Sequence, residues 1–98
     1  MKKFDEDDGE YLAWIASHPN GFVVNSRRKP TAGYLVLHRS ICPSIDGRVQ
    51  HASGGYTERS YIKFASDNLD DLRSGLATIA PRFSGHCQRC DPLSDKRT

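Results

Sequence analysis

The feature that most restricts the fold of this 98-residue chain is a set of four metal-binding side chains in two close pairs. His38 and Cys42 are separated by three residues, and Cys87 and Cys90 are separated by two. Both spacings are typical of metal ligands, and zinc takes four such donors in a tetrahedron. The sequence therefore predicts that His38, Cys42, Cys87 and Cys90 bind one structural zinc ion, which joins the middle of the chain to its C-terminal segment.

A chain of this length forms one domain at most, and a small domain buries too little surface to be stable with much reserve. Apolar residues make up only 37% of the chain. Structural zinc contributes on the order of 10–16 kcal/mol in small peptides at neutral pH, against roughly 5–15 kcal/mol for the stability of a whole domain. We expect a single zinc-stabilised domain over residues 1–92 and a disordered polar tail over residues 93–98.

The residues leave other assignments open. Cys87 and Cys90 also have the spacing of a redox pair, although such pairs begin a helix and a polar tail follows here. His86 or His51 can replace His38 as the fourth ligand. Three cysteines cannot all pair within the chain, and no apolar run reaches the roughly 18 residues of a membrane helix. We expect reduced thiols, no membrane segment and a cytoplasmic protein.

Periodicity and turn residues predict an α+β fold with an N-terminal helix, a small three-stranded antiparallel sheet and a second helix. Apolar residues at helical spacing predict the first helix over residues 7–17. Short apolar or β-branched runs predict strands at 22–25, 34–38 and 61–65, of which the first two form a hairpin. Alternation places His38 on a core-facing side at the end of its strand. The C-terminal Cys-x-x-Cys then closes the zinc site.

Charge is unevenly distributed along the chain, although the formal net charge is only +2. Five acids lie within residues 5–10, whereas residues 21–63 contain seven Lys and Arg against two acids. An electropositive face would therefore be built by the central segment. The candidates for phosphate contacts are Arg27, Arg28, Lys29, Arg39, Arg48 and Arg59, and the candidates for stacking on an extruded base are Tyr56 and His51 in the long loop 46–60.

The order of these elements resembles that of the metal-binding domain of the Ada alkylation-repair protein. The resemblance runs from the stretch 34–42, through the strand near residue 61 and the helix after it, to Cys87-Gln88-Arg89-Cys90-Asp91-Pro92. Similar small zinc modules are attached to bacterial nucleases and restriction-associated proteins. The resemblance implies a zinc-stabilised fold and an association with DNA. His38 stands where the Ada domain has its methyl-accepting cysteine, so methyl transfer is not implied.

We therefore predict a small zinc-binding module that binds DNA, with modified or distorted duplex as the candidate ligand, and that has no catalysis of its own. An enzyme is not favoured, because the sequence presents no paired carboxylates in an apolar setting and no glycine-rich phosphate loop. The alternative is a protein-interaction adaptor or inhibitor from a phage or bacterial defence system. Such a module would dock a basic partner through the acidic segment 5–10 and the exposed parts of Trp14 or Tyr11.

Overall fold

The computed structural model describes residues 1–47 and 54–93. Two helices and a five-stranded mixed sheet form an α+β fold. In chain order the elements are β1 (Lys2–Phe4), α1 (Asp8–Ser17), β2 (Phe22–Arg27), β3 (Leu35–Arg39), β4 (Tyr61–Ser66), α2 (Leu69–Leu76) and β5 (Gly85–His86). No helix in this described part of the chain is long and apolar enough to cross a membrane.

The sheet has the strand order β1-β4-β2-β3-β5. The first four strands pair antiparallel, and β5 pairs with β3 in parallel. The predicted three-stranded antiparallel sheet matches the central strands β4, β2 and β3, but it omits the two edge strands. Each edge strand has only two or three residues. An apolar alternation cannot be seen in so short a run, and only pairing with a neighbour defines these strands.

Each face of the sheet packs against one helix, so the molecule has two hydrophobic cores. One core lies between the sheet and α2 and consists of Val24, Leu35, Leu37, Ile62, Phe64, Leu72, Leu76 and Ala80. The other lies between the sheet and α1 and consists of Phe4, Tyr11, Ile15, Val23, Cys42, Ile45, Tyr56 and Ala65. Cys87 and Cys90 pack against this second core. The cysteines therefore lie at the border of the α1 side of the sheet.

The described part of the long loop, residues 54–60, is bound to the start of α1. The Asp8 carboxylate accepts hydrogen bonds from the backbone N–H groups of Tyr56 and Thr57, at 3.3 and 2.7 Å. The Thr57 hydroxyl also donates to this carboxylate, at 2.7 Å. Tyr56 and Thr57 are buried as a result. Residues 48–53 and 94–98 lie outside the described residues, and with them Arg48, His51 and most of the tail that we predicted to be disordered.

Candidate metal centre

The structure brings all four predicted ligand residues together. One donor atom from each of His38, Cys42, Cys87 and Cys90 lies within 4.8 Å of the others, and the sulfurs of Cys42 and Cys87 are 3.9 Å apart. With zinc–sulfur bonds of about 2.3 Å and zinc–nitrogen bonds of about 2.0 Å, a tetrahedral site places neighbouring donors roughly 3.5–3.8 Å apart. All three cysteines are free thiols. The cluster is therefore compatible in size and chemistry with a single metal ion.

The first pair of donors is positioned by β3 and the turn that follows it. His38 pairs with Val23 of β2, and alternation places its side chain on the face that α1 covers. After the strand, the N–H of Cys42 donates to the carbonyl of Arg39 at 3.0 Å, and the N–H of Ile45 donates to the carbonyl of Cys42 at 3.0 Å. These two turns bring the Cys42 sulfur back beneath the end of β3.

The second pair is positioned by the parallel pairing of β5 with β3. His86 lies opposite Leu37, and the N–H of Cys87 donates to the Leu37 carbonyl at 2.9 Å, so Cys87 lies alongside His38. The chain then turns, and the N–H of Asp91 donates to the Cys87 carbonyl at 3.0 Å. Asp91 has a φ of 44°, in the left-handed region that Asp tolerates better than most residues. The turn returns the Cys90 sulfur toward Cys87.

Arg39 clamps this turn onto the end of β3. Its backbone N–H donates to the Cys90 sulfur at 3.3 Å, and its Nε donates to the Cys90 carbonyl at 3.2 Å. A terminal guanidinium nitrogen donates to the Asp91 carbonyl at 3.3 Å. The hydroxyl of Ser44 lies 2.9 Å from the Cys42 sulfur. Donors of this kind orient sulfur ligands and favour their ionised form.

The electrostatics of the cluster favour a proton-free His38 and a thiolate at Cys87, whereas burial opposes ionisation of Cys90. Burial lowers the pKa of His38 to about 4, and the positive charge of Lys63 adds to the effect, so the imidazole is neutral at pH 7. Burial alone raises the pKa of the Cys87 thiol, but backbone N–H groups of Cys90 and Arg89 lower it, and the net pKa is below its ordinary value. Burial raises the pKa of the Cys90 thiol. The Nδ1 atom of His38 is buried without a hydrogen-bond partner in the described part of the chain.

The residues predicted to contact nucleic acid do not form one surface. The Arg28 guanidinium donates to the main-chain carbonyls of Asp5, Thr57 and Arg59, so this side chain joins three segments of the fold. Arg39 is bound to the metal-site turn in the same manner. Arg27, Lys29 and Arg59 are exposed. Arg48 and His51 fall in the segment that the structure does not describe.

Tyr56 is not available for stacking on an extruded base. Its side chain is 7% exposed, and its ring lies 5.7 Å from that of Tyr11 in the α1-side core. The ring would have to leave the core to meet a base. Its burial argues against the predicted stacking role. The glycine-rich sequence around Tyr56 does not reveal that Asp8 binds this segment.

The sequence did not draw attention to one buried ionisable residue, Lys63. Lys63 is 3% exposed, and its ammonium donates to the side-chain oxygen of Asn25 at 2.8 Å and to the carbonyl of Tyr56 at 2.7 Å. Burial lowers its pKa to about 8, while the charge of Asp8 raises it. The available signal was its position inside the apolar run of strand β4, between Ile62 and Phe64.

Comparison of this chain with protein-family models finds no match, and comparisons with curated proteins and with solved structures find none either. No relative therefore indicates an activity, a ligand or a partner. The donor cluster and the surface around it are the features from which a function can be inferred.

Proposed function

We propose that this chain is a zinc-stabilised module that binds DNA and has no catalytic activity of its own. The convergence of four donor atoms within 4.8 Å of one another supports the metal assignment. Sulfur-rich tetrahedral sites select zinc or iron–sulfur clusters, and a site of three thiolates and one imidazole matches structural zinc. Such a site has no open position for water, which argues against metal-assisted hydrolysis.

The chemical state of the donors fits this ion. The Nδ1 of the buried His38 ring has no hydrogen-bond partner among the described residues, and a neutral imidazole can donate a ring-nitrogen lone pair to zinc. Backbone N–H groups already point at the sulfurs of Cys87 and Cys90. Zinc binding displaces the remaining thiol protons and leaves the sulfurs as thiolates.

The location of the cluster explains why the fold would need an ion. Among the described residues, the segment after α2 packs Ala80 and Phe83 against the α2-side core. Beyond them it meets the sheet through Ser84, the two-residue strand β5 and the turn at Cys87 to Asp91. From Cys87 onward, the least exposed apolar residues of the described chain are small: the half-buried Cys87 and Cys90 and the buried Pro92. We infer that zinc supplies the free energy that fixes this segment beside β3.

Charge supports DNA as the ligand. Residues 11–45 contain no Asp or Glu, and they carry Arg27, Arg28, Lys29 and Arg39. Arg27 and Lys29 are exposed at the end of the hairpin of β2 and β3, and Arg59 is exposed near the start of β4. Cationic side chains on one end of a sheet attract phosphates at long range. The resemblance to the Ada metal-binding domain favours the same class of ligand, with modified or distorted duplex as one form of it.

Metal analysis and a salt series test the two parts of the proposal. We expect one equivalent of zinc in the purified protein, with loss of the fold on chelation. If Arg27, Lys29 and Arg59 neutralise about three phosphates, log K for duplex DNA falls with log[salt] at a slope near −2.7. A protein that folds without metal contradicts the first part. DNA binding that is absent, or that ignores salt, contradicts the second.

One observation favours a protein-interaction adaptor or inhibitor as the second candidate. Ile41 is 51% exposed and borders a groove of about 180 Å³ between α1 and the end of β3. The docking residues expected from the sequence are less suitable, because Tyr11 is fully buried and the Asp7 side chain caps α1. Loss of binding to a purified candidate partner in Ile41→Asp, with DNA binding unchanged, would support this alternative.

A further inference from the structure

Two tyrosines and an arginine form a cross-strand row at one end of the sheet. Arg27 on the central strand β2 pairs with Tyr61 on β4. Because Ser26 pairs with Leu35, Tyr34 lies opposite Arg27 on the other side. All three side chains share the sheet face that α1 packs against. The two rings are 5.8 Å apart, and the guanidinium lies 4.9 Å from the Tyr34 ring and 5.9 Å from the Tyr61 ring.

This row lies at the end of the face away from the contacts of α1. The helix packs its buried Tyr11 and Ile15 with Phe4, Val23 and Ala65. In contrast, Arg27 is exposed, and Tyr34 and Tyr61 each retain an accessible part. Neither tyrosine belongs to the two cores formed by the described residues. The two rings, tilted by 40° to each other, and the guanidinium above them therefore present an aromatic and cationic surface to solvent.

A polar pair on the same face, beside the row, fixes the orientation of the rings. The Asn25 amide donates to the Tyr34 hydroxyl at 3.3 Å, and its oxygen accepts from the Lys63 ammonium at 2.8 Å. That ammonium lies 5.9 Å from the centre of the Tyr61 ring and is itself held by the carbonyl of Tyr56. A surface whose groups are held in place loses little conformational freedom on binding, which favours affinity.

The chemistry of this row suits a nucleobase without a pairing partner. Every base has a π-face that stacks on tyrosine or on an arginine plane, whereas in a duplex the neighbouring bases cover those faces. The positive charge of Arg27 and the adjacent exposed Lys29 attract the phosphates on either side of a stacked base. An acidic peptide would satisfy the charges but would make no specific use of the accessible aromatic surface.

We propose that Tyr34, Arg27 and Tyr61 form a stacking platform for unpaired nucleotides, so that the ligand of this module is single-stranded or locally unpaired nucleic acid. This inference rests on the proposed DNA-binding function and names the surface and the form of ligand. One or two bases stack on the tyrosine rings, and the exposed cations of the hairpin contact the backbone beside them.

The test compares three fluorescent 20-nucleotide probes binding to the zinc-loaded protein: single-stranded DNA, its duplex, and a single strand whose central nucleotides are abasic. We expect the intact single strand to bind more tightly than the other two. Loss of one stacked base costs about 1–3 kcal/mol. Tyr34→Ala and Tyr61→Ala should therefore weaken single-strand binding between about 5- and 150-fold, whereas Tyr34→Phe and Tyr61→Phe should retain most of it. Phe83→Ala, a half-buried aromatic outside this row, is the matched control.

The outcomes separate this inference from the function on which it rests. Binding to none of the probes overturns both. Binding to duplex that is unaffected by either alanine variant overturns the platform alone, and so does equal affinity for the intact and abasic strands. If the alanine variants lose zinc or structure, photocrosslinking of a 5-iodouracil oligonucleotide to the unchanged protein decides. Crosslinks at Tyr34 or Tyr61 support the platform, and crosslinks confined to other residues overturn it.

Discussion

The guanidinium of Arg39 donates a hydrogen bond to the main-chain carbonyl of Cys90 at 3.2 Å, although 51 positions separate the two residues in the chain. The backbone N–H of the same arginine lies 3.3 Å from the Cys90 sulfur. A residue that looked like a phosphate contact in the sequence therefore positions the last ligand of the candidate metal centre.

Removing the Arg39 side chain should weaken metal binding without abolishing it. Groups that orient metal ligands typically change affinity by about 10–100-fold when they are lost. We expect Arg39→Ala to release zinc to a chromogenic chelator about tenfold faster than the unchanged protein. Arg27→Ala removes a charge from the same sheet without contacting the centre and serves as the control. Equal release rates for both variants would show that the clamp has no role.

The fourth ligand can be identified by comparing two histidines that lie near the cysteines. His38 belongs to the cluster, whereas His86 precedes Cys87 and is not part of it. We expect His38→Ala to lose most of its zinc and His86→Ala to keep one equivalent. The absorption spectrum of the cobalt-substituted protein should indicate three sulfurs and one nitrogen, and His86→Ala should not change it. Zinc loss confined to the His86 variant would require a different ligand set.

Arg28 should contribute to stability more than to DNA affinity, because its guanidinium binds three main-chain carbonyls. Hydrogen bonds from a charged donor contribute about 1.5–3 kcal/mol each, and solvent exposure reduces that value. Arg28→Ala should therefore lower the free energy of unfolding by about 2 kcal/mol in urea titrations. Lys29→Ala should leave stability unchanged and weaken DNA binding. If Arg28→Ala instead weakens DNA binding and leaves stability unchanged, Arg28 acts as a phosphate contact.

Stability should rise with pH in alkaline solution because of Lys63. Burial lowers its pKa from 10.5 to about 8 in the folded protein. From about pH 8 to 10.5, the unfolded chain therefore holds a proton that the folded chain has released, and the free energy of unfolding increases with pH. We expect Lys63 to contribute a gain of about 1–2 kcal/mol between pH 8 and 9.5 in the zinc-loaded protein.

The predicted rise in stability stops at about pH 9.5, because above that pH the tyrosines lower the free energy of unfolding. Burial raises the pKa of Tyr11, so the folded chain keeps a proton that unfolded tyrosines lose near pH 10. Urea titrations at four pH values measure the effect. The metal-bound thiolates add a rise that both proteins share, because unfolded thiols keep their protons to about pH 8.5. In Lys63→Met the gain should therefore be smaller by the contribution of Lys63, and an identical gain in both proteins would assign the whole effect to other groups.

The sequence was sufficient to predict the centre of the fold and the donor cluster. The run 34–38 is apolar and continuous, and it predicted a strand that is present as Leu35–Arg39. Alternation along that strand put His38 on a buried face, where it lies 8% exposed. Because each ligand pair already had the spacing of a metal site, the prediction needed only one further assumption, that the pair His38 and Cys42 meets the pair Cys87 and Cys90. Strong periodicity and short ligand spacings can be recognised within a single segment, without knowledge of its tertiary contacts.

The missing parts depend on contacts between distant segments. Strand β5 exists because Gly85 and His86 pair with β3, not because of its own residues. The roles of Arg28 and Arg39 depend on carbonyl groups 23 to 52 positions away. Tyr56 is buried because Asp8 binds its backbone N–H group. A sequence does not distinguish an exposed arginine from one whose guanidinium is hydrogen-bonded, because the bond depends on which main-chain carbonyls the fold brings near.

The parallel pairing of β5 with β3 has a consequence during biosynthesis. The Cys87 to Asp91 turn follows both helices and the four antiparallel strands in the chain, so those elements leave the ribosome before the second pair of donors does. Until then, β3 lacks its partner β5, and His38 and Cys42 lack the other two donors of the candidate metal centre. If the centre holds a metal ion as proposed, a shortage of that ion would leave the C-terminal turn unfixed after synthesis. The edge of β3 would then stay open to proteases and to edge-to-edge aggregation.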